Sequence, residues 1–274
     1  MVMFVKSDFL KDIKLFVLDL DGTFYLGDRL LPGSLPFLEV LRETGRDYLF
    51  FTNNTSKSPD LYLTKFAGLG VPIARTRLLT AGDVTVRYLE RTYPGALVYL
   101  MGNEALRADF AARGVRLLPD GAKAEAQPDI VVAAFDTELT YAKLERACAY
   151  IRRGAVFLAT HPDINCPTED GFIPDCGAFC AAIEKSTGKT PEYLGKPYTE
   201  ALDLILEHTG LAKGEIAFVG DRLYTDVAAG EENGAAGILV LSGETAEEDL
   251  AASEIKPSAV FADLGALAQR LKIL

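Results

Sequence analysis

At 274 residues the chain is too long for one small hydrophobic core, and its 49% apolar and 24% charged content is that of a globular protein with one large or two moderate domains. The formal net charge of −11 argues against a nucleic-acid or anionic-membrane partner, although one metal ion and one lysine can reverse the field locally for a small anionic ligand. Four cysteines (Cys148, Cys166, Cys176, Cys180) without a Cys-x-x-Cys pair, and two histidines (His161, His208), argue against structural zinc and for free thiols in a reducing, cytoplasmic setting; residues 1–20 lack a signal-peptide core and no stretch is apolar enough to span a bilayer.

Apolar residues 15–18 predict a buried strand that ends in Asp19-Leu20-Asp21-Gly22-Thr23. A helix over 34–44 follows, then a strand over 46–51 closed by Thr52-Asn53-Asn54-Thr55-Ser56, a helix over 59–67 and a strand over 77–80. A separate block comes next, with strands at 97–101, 130–135 and 155–160 and helices at 104–113 and 141–152. An irregular stretch over 161–176 reads as one long loop, the kind usually kept for function, and leads into a helix over 177–186. Cys176 and Cys180, one helical turn apart, read as packing, and His161 as a loop-ordering hydrogen-bond donor. Core-like units then return: a strand at 193–194 ending in Gly195-Lys196-Pro197, a helix to 208, a strand at 215–219 ending in Gly220-Asp221, a helix over 225–232, strands at 236–241 and 259–261, and a helix over 264–271. The alternation predicts α/β architecture; periodicity alone leaves open whether the middle block is an insertion or part of one large sheet.

In a parallel α/β sheet the loops at the carboxyl ends of strands converge on one edge, where sites form. Four such loops carry complementary chemistry. Asp19 and Asp21, two apart and roughly 7 Å from one another if extended, crowd two anions that need a divalent cation and a substrate to offset them. One carboxylate can attack a phosphorus or carbon centre while the other handles protons; the alternative is a polar turn that caps the next helix. Thr52, Asn53 and Asn54 offer a hydroxyl, amides and backbone N–H groups to phosphate oxygens, or simply an Asx turn. Lys196, held between Gly195 and Pro197, is a point charge suited to a transferring phosphoryl group. Asp221 and Asp226 in Gly220-Asp221-Arg222-Leu223-Tyr224-Thr225-Asp226 read as metal ligands, with helix capping as the alternative for Asp226.

The chain order of these loops (acid pair, Thr, Lys, acid pair) resembles the haloacid dehalogenase superfamily. Pro128-Asp129-Ile130-Val131-Val132, Thr140-Tyr141, Lys143-Leu144, residues 154–163, Cys176-Gly177-Ala178 and Gly220-Asp221-Arg222-Leu223 resemble its NagD and p-nitrophenyl phosphatase branch. His161 departs from the Asn of many relatives, which bears on substrate preference. The resemblance covers essentially the whole chain and implies a Rossmann-like parallel-sheet core (1–80 and 189–274) with an inserted α/β cap (81–188) that sets specificity. It also implies a Mg²⁺ ion on the Asp19 carboxylate, the Asp21 backbone carbonyl, Asp221 and water, with Asp226 nearby, which leaves the Asp21 side chain free.

The activity expected is phosphomonoester hydrolysis through an aspartyl-phosphate at Asp19, with Asp21 as general acid and base, Thr52, Asn53, Asn54 and Lys196 on the phosphoryl oxygens, and Asn165 and Cys166 of the middle block on the leaving group. A phosphotransferase or phosphomutase would share that intermediate. A dehalogenase would not need Asp21, and nothing marks the Schiff-base lysine of a phosphonate hydrolase. A non-catalytic phosphometabolite binder would need no paired acid and nucleophile. The expected ligand is a small phosphorylated metabolite of unassigned identity; capped relatives often form homodimers through the cap.

Overall fold

The structure is a computed structural model that describes residues 2–5, 8–119, 126–168 and 171–274. The chain forms two compact units. One comprises Met1–Thr52, Leu63–Leu79 and Lys196–Leu274; the other comprises Asn53–Tyr62 and Thr80–Gly195.

The first unit is built on a seven-stranded sheet in the order Val2–Val5, Ala259–Phe261, Ala236–Val240, Ile216–Gly220, Leu15–Leu18, Asp47–Thr52, Leu78–Thr80. Its central strands run parallel, and Val2–Val5 is antiparallel at one edge. Leu15–Leu18 is buried at every position, as expected of a strand covered on both faces. Leu18 stands level with Val219 on one neighbour and Phe50 on the other. Asp19 and Asp221, which follow two of these strands, and Thr52, which ends the third, therefore emerge at the same edge. Beneath that edge Phe50 packs against Phe24 and Phe66, with ring centroids 4.7 and 4.6 Å away.

The second unit has its own parallel five-stranded sheet, in the order Glu192–Tyr193, Val156–Ala159, Ile130–Ala133, Leu97–Met101, Arg116–Leu117. Tyr99, Met101, Val131, Tyr150, Ile151, Phe157 and Ile183 form its core together with Cys176 and Cys180. All four cysteines are free thiols, and Cys176 and Cys180 are fully buried packing groups with their sulfurs 4.0 Å apart.

The second unit departs from the sequence expectation in two places and adds a helix, over residues 81–92, to which the sequence reading assigns no element. The stretch 161–176 is not one loop: Asn165–Thr168 and Gly171–Pro174 pair as an antiparallel hairpin. Each of its strands contains a proline, and neither shows the apolar alternation that announces a half-buried strand. Residues 81–92, rich in β-branched side chains, form the helix Ala81–Thr92, because Thr80 and Asp83 close a reciprocal capping box (Asp83 N to Thr80 Oγ1 3.1 Å, Thr80 N to Asp83 Oδ2 2.8 Å). The short strand Glu192–Tyr193 pairs with Val156–Ala159, so it belongs to the second sheet and not to the first.

The aromatic floor gives a stability test. Phe50→Ala should cost about 3–5 kcal/mol, as large-to-small changes in packed cores do, read as a lower urea midpoint with an unchanged slope.

Candidate active site

The acids of the site come from turns that follow parallel strands of the first unit, and Lys196 follows the short strand Glu192–Tyr193 in the chain. Asp19 leaves its strand with its backbone N–H bonded to Val219 O at 2.9 Å. The chain then folds back on itself, with Phe24 N on Leu20 O and Gly22 N on Tyr25 O, both at 2.9 Å. Gly22 has φ of +84°, and a Cβ there would lie 2.5 Å from Asp221 Oδ2. Both the backbone and the close approach of Asp221 require glycine.

Asp221 is buried, and its two oxygens are taken by Thr23 Oγ1 at 3.2 Å and by the backbone N–H of Glu244 at 2.7 Å. Ser242 Oγ donates to Gly22 O at 2.8 Å, and Arg222 pairs with Glu244 at 2.8 Å. The sequence does not mark the loop 242–245, and it marks Thr23 only as the end of the Asp19–Thr23 turn. The available signal was positional: this loop too follows a parallel strand, Ala236–Val240.

Beyond Asp221 the chain makes a wide turn, Leu223–Val227, with Val227 N bonded to Arg222 O five residues back at 3.1 Å. It then continues as the helix Ala228–Glu231, where a single helix over 225–232 was expected. Such wide turns are uncommon and recur at functional sites. This one turns the buried Asp226 toward Lys196. The Lys196 ammonium donates to Asp19 Oδ1 at 2.7 Å, Asp226 Oδ1 at 2.6 Å and Phe51 O at 3.1 Å. Thr52, buried, ends the strand that supplies Phe51. Asp19, Lys196, Asp221 and Asp226 thus come together. Asp21 is half-buried in the turn, and its carboxylate stands outside the set formed by Asp19, Asp221 and Asp226.

The remaining residues expected at the site belong to the second unit. Asn53 Nδ2 donates to Asp163 Oδ1 at 3.1 Å. Asn54 accepts from Ser56 N and Oγ at 3.0 and 2.7 Å and reaches Cys166 Sγ at 3.6 Å. Asn165, exposed, opens the hairpin.

Burial pushes the Asp19 carboxyl well above the ordinary carboxylate range, against the pull of Lys196 and with the help of Asp226 and Asp221. Burial, and then Asp226, raise Asp221 to about 6. Burial alone would push Lys196 down, but Asp19 and Asp226 override it and hold the ammonium above its ordinary value. The common cause is charge imbalance. Three carboxylates whose oxygens lie within 4.8 Å of one another share one lysine, which leaves two negative charges uncompensated when all are ionised. All the donors are oxygens, as a hard divalent cation prefers. The residues present therefore fit a divalent metal.

The chain has relatives by sequence and by fold. Residues 16–116 match the haloacid dehalogenase-like hydrolase family, and residues 193–267 match a second, HAD-hydrolase-like family. An acid sugar phosphatase of Staphylococcus epidermidis is 33% identical over 255 residues, 93% of this chain and 96% of its own. The 4-nitrophenylphosphatase of Thermotoga maritima superposes with a TM-score of 0.89 at 45% identity, covering 95% of this chain and 98% of that one. NagD from E. coli K-12 superposes with a TM-score of 0.82 at 30% identity, covering 92% and 97%. Its strand-end acids and lysine, its parallel sheet and these relatives agree: the chain belongs to the haloacid dehalogenase-like hydrolases, as a phosphatase of the NagD and p-nitrophenyl phosphatase-like branch.

Proposed function

We propose that the protein is a Mg²⁺-dependent phosphomonoester hydrolase working through an aspartyl-phosphate at Asp19, with the inserted second unit, expected over roughly 81–188, acting as the specificity cap. The observation that carries this reading is the Asp19–Lys196–Asp226 contact set beside Asp221 at one sheet edge.

An Asp19 carboxylate oxygen attacks phosphorus in line. The bond from phosphorus to the ester oxygen breaks, and Asp21 gives that oxygen its proton. Asp21 then takes a proton from water as the water oxygen attacks the same phosphorus. The Asp19–phosphorus bond breaks, inorganic phosphate leaves, and the Asp19 carboxylate is restored. Lys196, the Thr52 hydroxyl and backbone N–H groups of the 52–54 loop hold the phosphoryl oxygens as charge shifts among them. Asp21 suits proton transfer because its carboxylate lies outside the acidic cluster. Asp19, the Asp21 carbonyl, Asp221 and Asp226 would hold Mg²⁺, which when bound supplies charge neutralisation for the phosphate dianion. The names of the relatives make sugar phosphates and p-nitrophenyl phosphate the first substrates to test.

Asp19→Asn should reduce phosphate release from p-nitrophenyl phosphate to background; turnover equal to wild type removes the nucleophile assignment. Asp21→Asn should lose about 10²–10⁴-fold in kcat while titration calorimetry still detects Mg²⁺ binding; loss of the metal would contradict carbonyl ligation. Chelation should abolish activity and added Mg²⁺ should restore it.

A pH test follows from Asp221. A carboxyl whose folded pKa is raised to about 6 makes the metal-free protein less stable as pH climbs through that value, and a cation must displace its proton to bind. Mg²⁺ should therefore raise Tm more at pH 7.5 than at pH 5.0; equal shifts at the two pH values would contradict a bound proton that the metal must displace.

A further inference from the structure

The second unit holds another buried set of ionisable groups: His161, Asp163 and Asp175. It is not an open coordination site. His161 Nδ1 lies 2.8 Å from Thr160 Oγ1, and Nε2 lies 2.9 Å from Asp175 Oδ1, so both ring nitrogens are engaged. Asp175 also takes the Cys176 backbone N–H at the start of the helix Cys176–Thr187, and Asp163 takes the Asn53 amide. Burial alone would push His161 down; the Asp175 carboxylate, aided by Cys176 and Asp163, overrides it and raises the ring to about 9. The Asp175 carboxylate thereby favours the imidazolium form, which can donate from both nitrogens.

A second observation shows what this cluster supports. The Gly195 backbone N–H donates to Thr160 O at 2.8 Å, and a Cβ on Gly195 would lie 2.6 Å from Thr160 O and 2.7 Å from Asn53 Oδ1. Thr55 Oγ1 lies 3.4 Å from Thr160 Oγ1. The residue that follows Thr52 and the residue that precedes Lys196 are both seated on the segment 160–163.

We propose that His161 is a positioning residue: clamped between Thr160 and Asp175, it holds segment 160–163 in the shape that seats Asn53 and Gly195, and through them the backbone next to Thr52 and Lys196. The inference rests on the assignment of Thr52, Asn53 and Lys196 to the phosphoryl group. His161 touches no reacting atom. It acts through the Asp163–Asn53 hydrogen bond and the Gly195 contact. Misplacing the phosphoryl-binding backbone by a fraction of an ångström should show in kcat more than in KM.

The test is steady-state hydrolysis of p-nitrophenyl phosphate with Mg²⁺ by wild type and by His161→Gln, Asp163→Asn, Asp163→Ala, Asn53→Ala, His161→Gln/Asn53→Ala and Asp19→Asn, each checked for cooperative unfolding. His161→Gln and Asp163→Ala should lose about 10- to 100-fold in kcat with little change in KM. Asp163→Asn, which keeps an acceptor for Asn53, should stay near wild type. The double variant should fall no further than the worse of its two single variants, as expected when two residues act as one unit. A folded His161→Gln with wild-type kcat, or losses that multiply in the double variant, overturns the proposal. Should His161→Gln fail to fold, wild-type kcat in Asp163→Ala overturns it equally. Turnover in Asp19→Asn would sink the underlying reading of the reaction instead.

Discussion

One ammonium shared between two carboxylates organises the first unit. Lys196 brings together Asp19, from the turn after the strand Leu15–Leu18, and Asp226, from the turn after Ile216–Gly220, and it also takes Phe51 O from the strand on the other side. A buried lysine is tolerated only when it is paired, and a buried acidic trio only when it is neutralised. Each group therefore needs the others, and the register of the three strands is what brings them within reach. Lys196 leaves the cluster short of positive charge, and that deficit fits it to a divalent cation better than a closed ion pair would.

Asp221 shows how closely the surrounding turns are fitted. Its carboxylate is fixed by Thr23 and by the Glu244 backbone, and Gly22 lies against it. The turn that carries Asp21 and the loop 242–245 are thereby tied to a single side chain, with Ser242 closing the link through Gly22 O. A carboxylate held by several fixed partners cannot swing away when no ligand is bound, which is the preorganisation that electrostatic catalysis depends on.

Much of this was legible in the sequence, for identifiable reasons. The strands of a parallel sheet are apolar at their buried ends, so a polar residue at or directly after such a run is conspicuous; Asp19, Thr52 and Asp221 stand out in that way, and Lys196 by its place between Gly195 and Pro197. What was missed lacks that contrast. The loop 242–245 contributes backbone N–H groups and a small hydroxyl, which leave little trace in composition. The hairpin formed by Asn165–Thr168 and Gly171–Pro174 has two prolines and no alternation. The helix Ala81–Thr92 depends on a cap that outweighs its β-branched interior. The second sheet claims Glu192–Tyr193 by pairing, which a strand of two residues cannot reveal on its own.

The wide turn Leu223–Val227 has a consequence for how this segment can vary in length. It holds one residue more than an ordinary helical turn, and the surplus is what swings Asp226 back toward Lys196. Removing one residue there would rotate everything downstream by about 100° around the helix axis. The ammonium would then face a neutral side chain, and the next helix would present the wrong side to its sheet. Insertions and deletions should thus be excluded from this stretch even where its individual side chains are free to change.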